Sequence, residues 1–210
     1  LKDYTQPYYW IDTVNLVFEL AEETTRVLST MTLRKNSGFP VDYPLILNGE
    51  KLQLGTVKLD GIELTTADYT VTDEELTIQN VPERFELEIE TLIRPQDNTA
   101  LEGLYKSSGN FCTQCEAEGF RKITYYLDRP DVMARFTTTV IADRRKYPVL
   151  LSNGNPVEQG DFDDGRHWVK WVDPFSKPCY LFALVAGDLG YIEDRFMTLS
   201  GREIRLRIYV

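Results

Sequence analysis

Histidine is almost missing from this chain. His167 is the single one in 210 residues, and that scarcity removes several chemistries. A Ser-His-Asp triad needs a histidine base, so His167 alone could serve, and no G-x-S-x-G elbow accompanies it. The H-E-x-x-H zinc motif requires two histidines. Hydrolysis of that zinc-dependent kind cannot be completed by these residues alone.

Cysteine is also scarce. Three unevenly placed residues do not make a disulfide scaffold, and a chain of this size does not need one. Their expected state is the free thiol of a reduced, cytoplasmic protein. Long hydrophobic runs are absent. The longest, Cys179 to Ala186 between Pro178 and Gly187, falls far short of the roughly 20 residues that span a bilayer, which argues against a membrane protein. It reads instead as a strand buried on both faces. Positive charge is in deficit, with 23 Lys and Arg against 33 Asp and Glu and a net charge of −10. Such a surface repels phosphate backbones and argues against nucleic-acid binding. No Asn-x-Ser/Thr acceptor site occurs.

The ends carry an expectation of their own. The chain opens on Leu1-Lys2-Asp3-Tyr4, without an initiator methionine or the apolar stretch of a signal peptide. It closes on Ile204 to Val210, an alternating strand with no cap or tail. An excised domain is expected, with natural sequence continuing past Val210. A hydrophobic content of 42% suffices for a proper core.

Period-two alternation dominates what is there. Val14, Leu16, Phe18 and Leu20 share one face, opposite Asn15, Val17 and Glu19. Phe85, Leu87, Ile89 and Ile93 point one way, while Glu86, Glu88 and Glu90 point to solvent. Turn pairs punctuate the runs: Asn48-Gly49, Asp60-Gly61, Asn153-Gly154, Asp164-Gly165 and Ser200-Gly201. Asn-Gly and Asp-Gly tolerate the positive φ that tight hairpins need. The pattern predicts an all-β fold, an antiparallel saddle-like β-sandwich with at most one or two short helical turns, spanning 1–210 as one domain. The best helix candidate is Asp131 to Phe136, behind Pro130. The longest stretch without strand character, Arg94 to Asn110, reads as a functional loop.

That loop leads into Cys112-Thr113-Gln114-Cys115-Glu116-Ala117-Glu118-Gly119-Phe120-Arg121, a segment with little apolar content to bury. Cys112 and Cys115 have the spacing of half a zinc site, which Cys179 and His167 could complete, but the second pair is not a compact motif. A thioredoxin-like CxxC would sit at a helix N-terminus, whereas here Glu116 and Glu118 follow and disfavour a thiolate. Gln114 and Glu116 lie two apart, so an extended segment puts both on one face. Together they offer a carboxylate and an amide oxygen suited to an ammonium group. A solvated strand end would look the same at this level.

Several motifs in one order carry a resemblance. Leu101-Glu102-Gly103-Leu104-Tyr105, the Cys112–Arg121 segment, Ile123 to Asp131, Leu151 to Asn155 and Pro178 to Asp188 resemble the N-terminal domain of bacterial aminopeptidases of the N type, and Leu47-Asn48-Gly49-Glu50 fits less densely. These are zinc-dependent exopeptidases that remove one residue from a peptide N-terminus. The resemblance implies a β saddle that caps a thermolysin-like catalytic domain. Zinc, held through H-E-x-x-H and a later glutamate, belongs to that following domain, so this chain holds no metal ligand and no catalytic residue. Glu116 would bind the α-ammonium of a peptide substrate and Gln114 would help line that pocket. Where many relatives carry Pro-Cys-x-Asp-x-Pro, this chain reads Tyr126-Leu127-Asp128-Arg129-Pro130, keeping Asp128 and Pro130 and pointing to the bacterial subgroup. Cys112 and Cys115 are then packed thiols flanking the binding pair. The alternative is a non-catalytic β-sandwich binding or scaffold module, since a fold does not fix a function.

Overall fold

The computed structural model describes residues 4–40 and 42–210; Leu1 lies outside them. The early strands are β1 (Tyr9–Glu19), β2 (Thr25–Lys35), β3 (Leu45–Asn48), β4 (Gln53–Leu59), β5 (Ile62–Glu63) and β6 (Tyr69–Val71). There follow β7 (Glu75–Ile78), β8 (Arg84–Ile93), β9 (Gly103–Ser107), β10 (Asn110–Gln114), β11 (Met133–Asp143) and β12 (Val149–Ser152). The last are β13 (Asn155–Asp161), β14 (Arg166–Pro178), β15 (Leu184–Gly187), β16 (Tyr191–Met197) and β17 (Glu203–Tyr209). The helical content of the described residues is three single 3-10 turns, at Pro95–Asp97, Phe120–Lys122 and Cys179–Leu181.

Eight strands form the main sheet, in the order β13-β14-β11-β1-β2-β8-β4-β5. Its pairs are antiparallel except β1 with β11, which run parallel from Thr13↔Arg135 to Glu19↔Ile141. Such a pair needs a long crossover rather than a hairpin, and the chain between the two strands supplies it. The alternation works as expected: Val14, Leu16 and Phe18 of β1 and Phe85, Leu87 and Ile89 of β8 are all buried. Their inward faces join one core that also holds Leu45 and Leu47, Leu76 and Ile78, Phe111, and Leu184 and Ala186 from the smaller sheets. These are β3-β7-β6 and β12-β15-β10-β9. On the outer face Arg26 bridges Glu19 and Glu90, and Lys58 meets Glu88 at 2.7 Å. Burying a large apolar side chain is worth about 1.5–3 kcal/mol, and an exposed ion pair about 0–1. The inner face therefore decides the fold.

Several local expectations fail. Asp131 to Phe136 is not a helix, since β11 starts at Met133. Val132, Ala134, Phe136, Thr138 and Val140 are buried in alternation, and pairing with β1 and β14 enforces that period. Arg94 to Asn110 is not all loop, because β9 pairs with β10 through Ser108-Gly109, both at positive φ. Cys179 to Ala186 is not one strand: a 3-10 turn occupies its start, and Leu181 and Ala183 are exposed. Asp60-Gly61 does close a hairpin, between β4 and β5, with both residues at positive φ. Asp164-Gly165 and Ser200-Gly201 lie in the β13–β14 and β16–β17 loops. Asn48-Gly49 and Asn153-Gly154 do not close hairpins, because β3 pairs with β7 and β12 with β15.

The β16–β17 hairpin forms a two-stranded sheet of its own. None of its residues belongs to the core cluster.

Candidate functional site

Gln114 is the last residue of β10, opposite Gly103 of β9. The ladder with β15 stops earlier, at Cys112↔Val185. Beyond it the Thr113 hydroxyl accepts the Leu184 N–H at 2.8 Å, so a side chain takes over from the backbone. Freed from its neighbours, the chain turns. Residues 116–119 form the turn, closed by the Gly119 N–H donating to the Cys115 carbonyl at 2.9 Å. The Glu116–Ala117 peptide is cis. The strand itself ends at Gln114, and Glu116 lies in the turn that follows. Gln114 and Glu116 are both exposed on either side of buried Cys115, the Gln114 Nε2 donating to the Glu116 carbonyl at 3.3 Å.

The segment is less polar in its packing than in its composition. Cys115 and Phe120 are buried, which corrects the expectation that it has little to bury. Phe120 stands edge-on to Tyr126, Phe136 and Phe182, with ring centroids 4.9, 6.0 and 5.4 Å away. The exposed turn is therefore stapled to the core at both ends.

Charges around the turn are sorted unevenly. Arg121 meets Asp128 Oδ2 at 2.9 Å and Glu118 Oε1 at 3.3 Å. Among the described residues, the Glu116 carboxylate has no hydrogen-bond or ion-pair partner. A nearby cleft of about 310 Å³ is lined by Glu50, Gln53, Arg94, Asn98, Leu104 and Lys122, not by Gln114 or Glu116. Its cations, Lys51 among them, are already engaged, Lys122 by Glu50 and Glu102, Arg94 by Asp97 and Lys51 by Glu50.

The cysteines and the histidine are not brought together as a metal site. Among the described residues, no group of three or more His, Cys, Asp or Glu is placed to hold a metal ion. His167 is buried, and its Nε2 lies 2.7 Å from the Tyr147 carbonyl, to which it donates. All three thiols are free, Cys112 half-buried and the other two buried. Burial, and after it the charge of Asp128, pushes the Cys115 thiol up to about 12. Burial likewise raises Cys112 and Cys179, the latter donating to Asp128 Oδ1 at 3.0 Å. A thiol held protonated is unsuited to thiolate chemistry. The source of that shift is the interior rather than Glu116 or Glu118. Asp128 and Gly119, which hold the turn, lay beyond sequence spacing. The signal available was the Asp128 that survives in the 126–130 motif.

The described residues thus form an all-β unit that carries its candidate binding groups on an exposed turn. The chain belongs to the M1 peptidase family, its residues 12–181 matching the Peptidase M1 N-terminal domain. It is 54% identical to aminopeptidase N of Escherichia coli (strain K12) over 99% of its length and 23% of the relative's. Against aminopeptidase N of Caulobacter vibrioides the identity is 51%, over 100% of this chain and 24% of that one. The crystal structure of Legionella pneumophila aminopeptidase A in complex with aspartic acid superposes with a TM-score of 0.94 at 36% identity, covering 100% of this chain and 25% of that one. An M1 zinc metallopeptidase of Deinococcus radiodurans shares the fold, with a TM-score of 0.79 at 16% identity, over 96% of this chain and 48% of that one. The chain spans about a quarter of the length of the curated relatives it matches.

Proposed function

We propose that this chain is the N-terminal domain of a zinc-dependent aminopeptidase. In this reading it caps the catalytic domain and supplies Gln114 and Glu116 to the pocket that binds a peptide's α-ammonium. The observation that carries the reading is the unpartnered Glu116 carboxylate, beside Gln114, on a turn anchored to the core. An exposed carboxylate alone binds a cation weakly, because water screens it. Covered by a second domain, the same carboxylate requires a counter-charge, and a free N-terminus provides one. Holding that charge at a fixed distance from the reacting bond restricts cleavage to the first residue.

Among the described residues, no group of His, Cys, Asp and Glu fits zinc. The ligands belong to the domain that follows. The β16–β17 hairpin supports a contact with that domain. Ile192, Phe196, Ile204, Leu206 and Ile208 share one of its faces by register, with Asp194 as the single charged residue among them. All but Ile204 are exposed there, and the other face carries Glu193 paired with Arg207 at 2.7 Å. The free thiols support a reduced, cytoplasmic location. Among the described residues no helix is long and apolar enough to cross a membrane.

The test is Glu116→Ala in the full-length enzyme, assayed on substrates with a free amine. Breaking a covered charge pair costs about 3–5 kcal/mol, so kcat/KM should fall some hundreds- to thousands-fold. An unchanged kcat/KM removes Glu116 from the pocket.

A further inference from the structure

We infer that Asp128 is a positioning residue, which through Arg121 fixes the Cys115–Gly119 turn and so sets where the Glu116 carboxylate stands. The inference rests on the ammonium-binding reading of Glu116.

Asp128 has a side chain only 1% exposed. A buried carboxylate is expensive unless its oxygens are satisfied, and here they are. Oδ2 accepts from the Arg121 backbone N–H at 3.1 Å and from its Nε at 2.9 Å. Oδ1 accepts from the Cys179 thiol at 3.0 Å. The Asp128 carbonyl takes a further bond from Arg121 Nη2 at 3.2 Å, and its N–H reaches Asn48 Oδ1 at 3.3 Å. One residue thus grips Arg121 by main chain and side chain together.

Arg121 sits in the middle of the 3-10 turn that follows the Glu116 turn without a break. Gly119 belongs to both, donating to Cys115 at 2.9 Å and accepting from the Lys122 N–H at 3.1 Å. The Arg121 carbonyl is held from the other side by the Glu50 N–H at 2.9 Å. The path from Asp128 to Glu116 therefore runs through two hydrogen-bonded links, Asp128 to Arg121 and Gly119 to Cys115, joined by short stretches of main chain. Exposure alone would leave the turn free to wander; this brace removes that freedom.

The brace also settles where the guanidinium goes. With Asp128 and Glu118 both on Arg121, its charge is spent away from Glu116. Without Asp128, Arg121 becomes a mobile cation five residues from the carboxylate that must receive an ammonium. Displacement and competition act in the same direction, weakening the capture of free-amine substrates.

The experiment is a double-mutant cycle in the full-length enzyme: wild type, Asp128→Asn, Glu116→Ala and the double variant, with kcat and KM measured separately on an aminoacyl-nitroanilide. Asp128→Asn should raise KM about tenfold with kcat changed less than about twofold, the pattern of lost binding rather than lost chemistry. In the Glu116→Ala background the same change should move KM less than about twofold, because the penalty acts through Glu116. Equal penalties in both backgrounds would show a merely structural Asp128 and overturn the inference, as would an unchanged KM for Asp128→Asn alone. If Asp128→Asn does not fold, Arg121→Lys carries the same cycle, since it keeps a charge but loses the second donor to Asp128. A Glu116→Ala enzyme with unaltered KM and kcat/KM overturns the ammonium reading and this inference together. A strong Glu116→Ala effect without coupling overturns only the inference.

Discussion

The α-carbon of Gly119 lies so close to the Gln114 carbonyl that a β-carbon there would stand 2.5 Å from its oxygen. The next atoms it would meet are also backbone, Gly103 N at 2.9 Å and the Cys115 α-carbon at 3.0 Å. None is the free end of a side chain, so nothing can swing aside. Gly119→Ala must open the turn that carries Glu116. Overpacking of this kind costs about 1–3 kcal/mol, or about 2–4 °C in Tm per kcal/mol for a domain of this size. We expect a fall in Tm together with a raised KM in the full-length enzyme. A variant matching wild type in both would show that the turn absorbs the methyl.

Phe120 is the anchor of the same turn. It is wholly buried and meets three other rings. Phe120→Ala removes that packing and leaves a cavity among the rings of Tyr126, Phe136 and Phe182. The expected cost is about 3–5 kcal/mol, read as a lower urea midpoint with an unchanged slope. A loss below about 1 kcal/mol would mean that the turn, and not the ring, holds the segment in place.

The large features were legible because burial writes itself at period two. Val14, Leu16, Phe18 and Phe85, Leu87, Ile89 could be assigned to a core face from their spacing alone, and they occupy it. Asp131 to Phe136 misleads because six residues are too few to separate a helical from a strand period, and Pro130 favours the helix. Its partner β1 lies more than a hundred residues away, so no local signal could correct it. Asn153-Gly154 was a real turn, with Gly154 at a positive φ, but whether a turn joins partners or changes sheets is a tertiary property. At the candidate site, type and spacing single out Gln114 and Glu116 as a pair, and only the resemblance gives them an ammonium to bind. The Gly119 contact and the Asp128 brace arise where β10, the 3-10 turn and the chain near Pro130 converge, which spacing does not encode.

Cys115 gives the stability a pH dependence on the alkaline side. Its thiol is pushed up to about 12 by burial and the Asp128 charge, against about 8.5 in an unfolded chain. A group raised on folding contributes in full below its unfolded value and loses that contribution as pH rises toward the folded one. Stability should therefore hold through pH 8 and fall between about 9 and 12, by at most about 1.4 kcal/mol per pH unit for this thiol. Cys179 is raised in the same direction, so Cys115→Ala should flatten the slope without abolishing it. Urea midpoints at pH 7, 9 and 10.5 measure this. An identical slope in the variant would assign the alkaline loss elsewhere.

The β16–β17 hairpin should behave as two different objects in two contexts. In the isolated chain it contributes no residue to the core, and a lone two-stranded hairpin is marginal in water. Truncation after Leu189 should leave the Tm of the remainder within about 2 °C, and the amides of Tyr191–Tyr209 should exchange far faster than those of β1, β2 and β8. In the full-length enzyme the apolar face is proposed to lie against the domain that follows. There Ile208→Glu places an unpaired charge in that contact, on the same face as Asp194, at a cost of about 1–3 kcal/mol or more. It should lower the Tm and expose the hairpin to limited proteolysis. If Ile208→Glu leaves both the Tm and the cleavage pattern of the full-length enzyme unchanged, the face stays in water and the contact lies elsewhere.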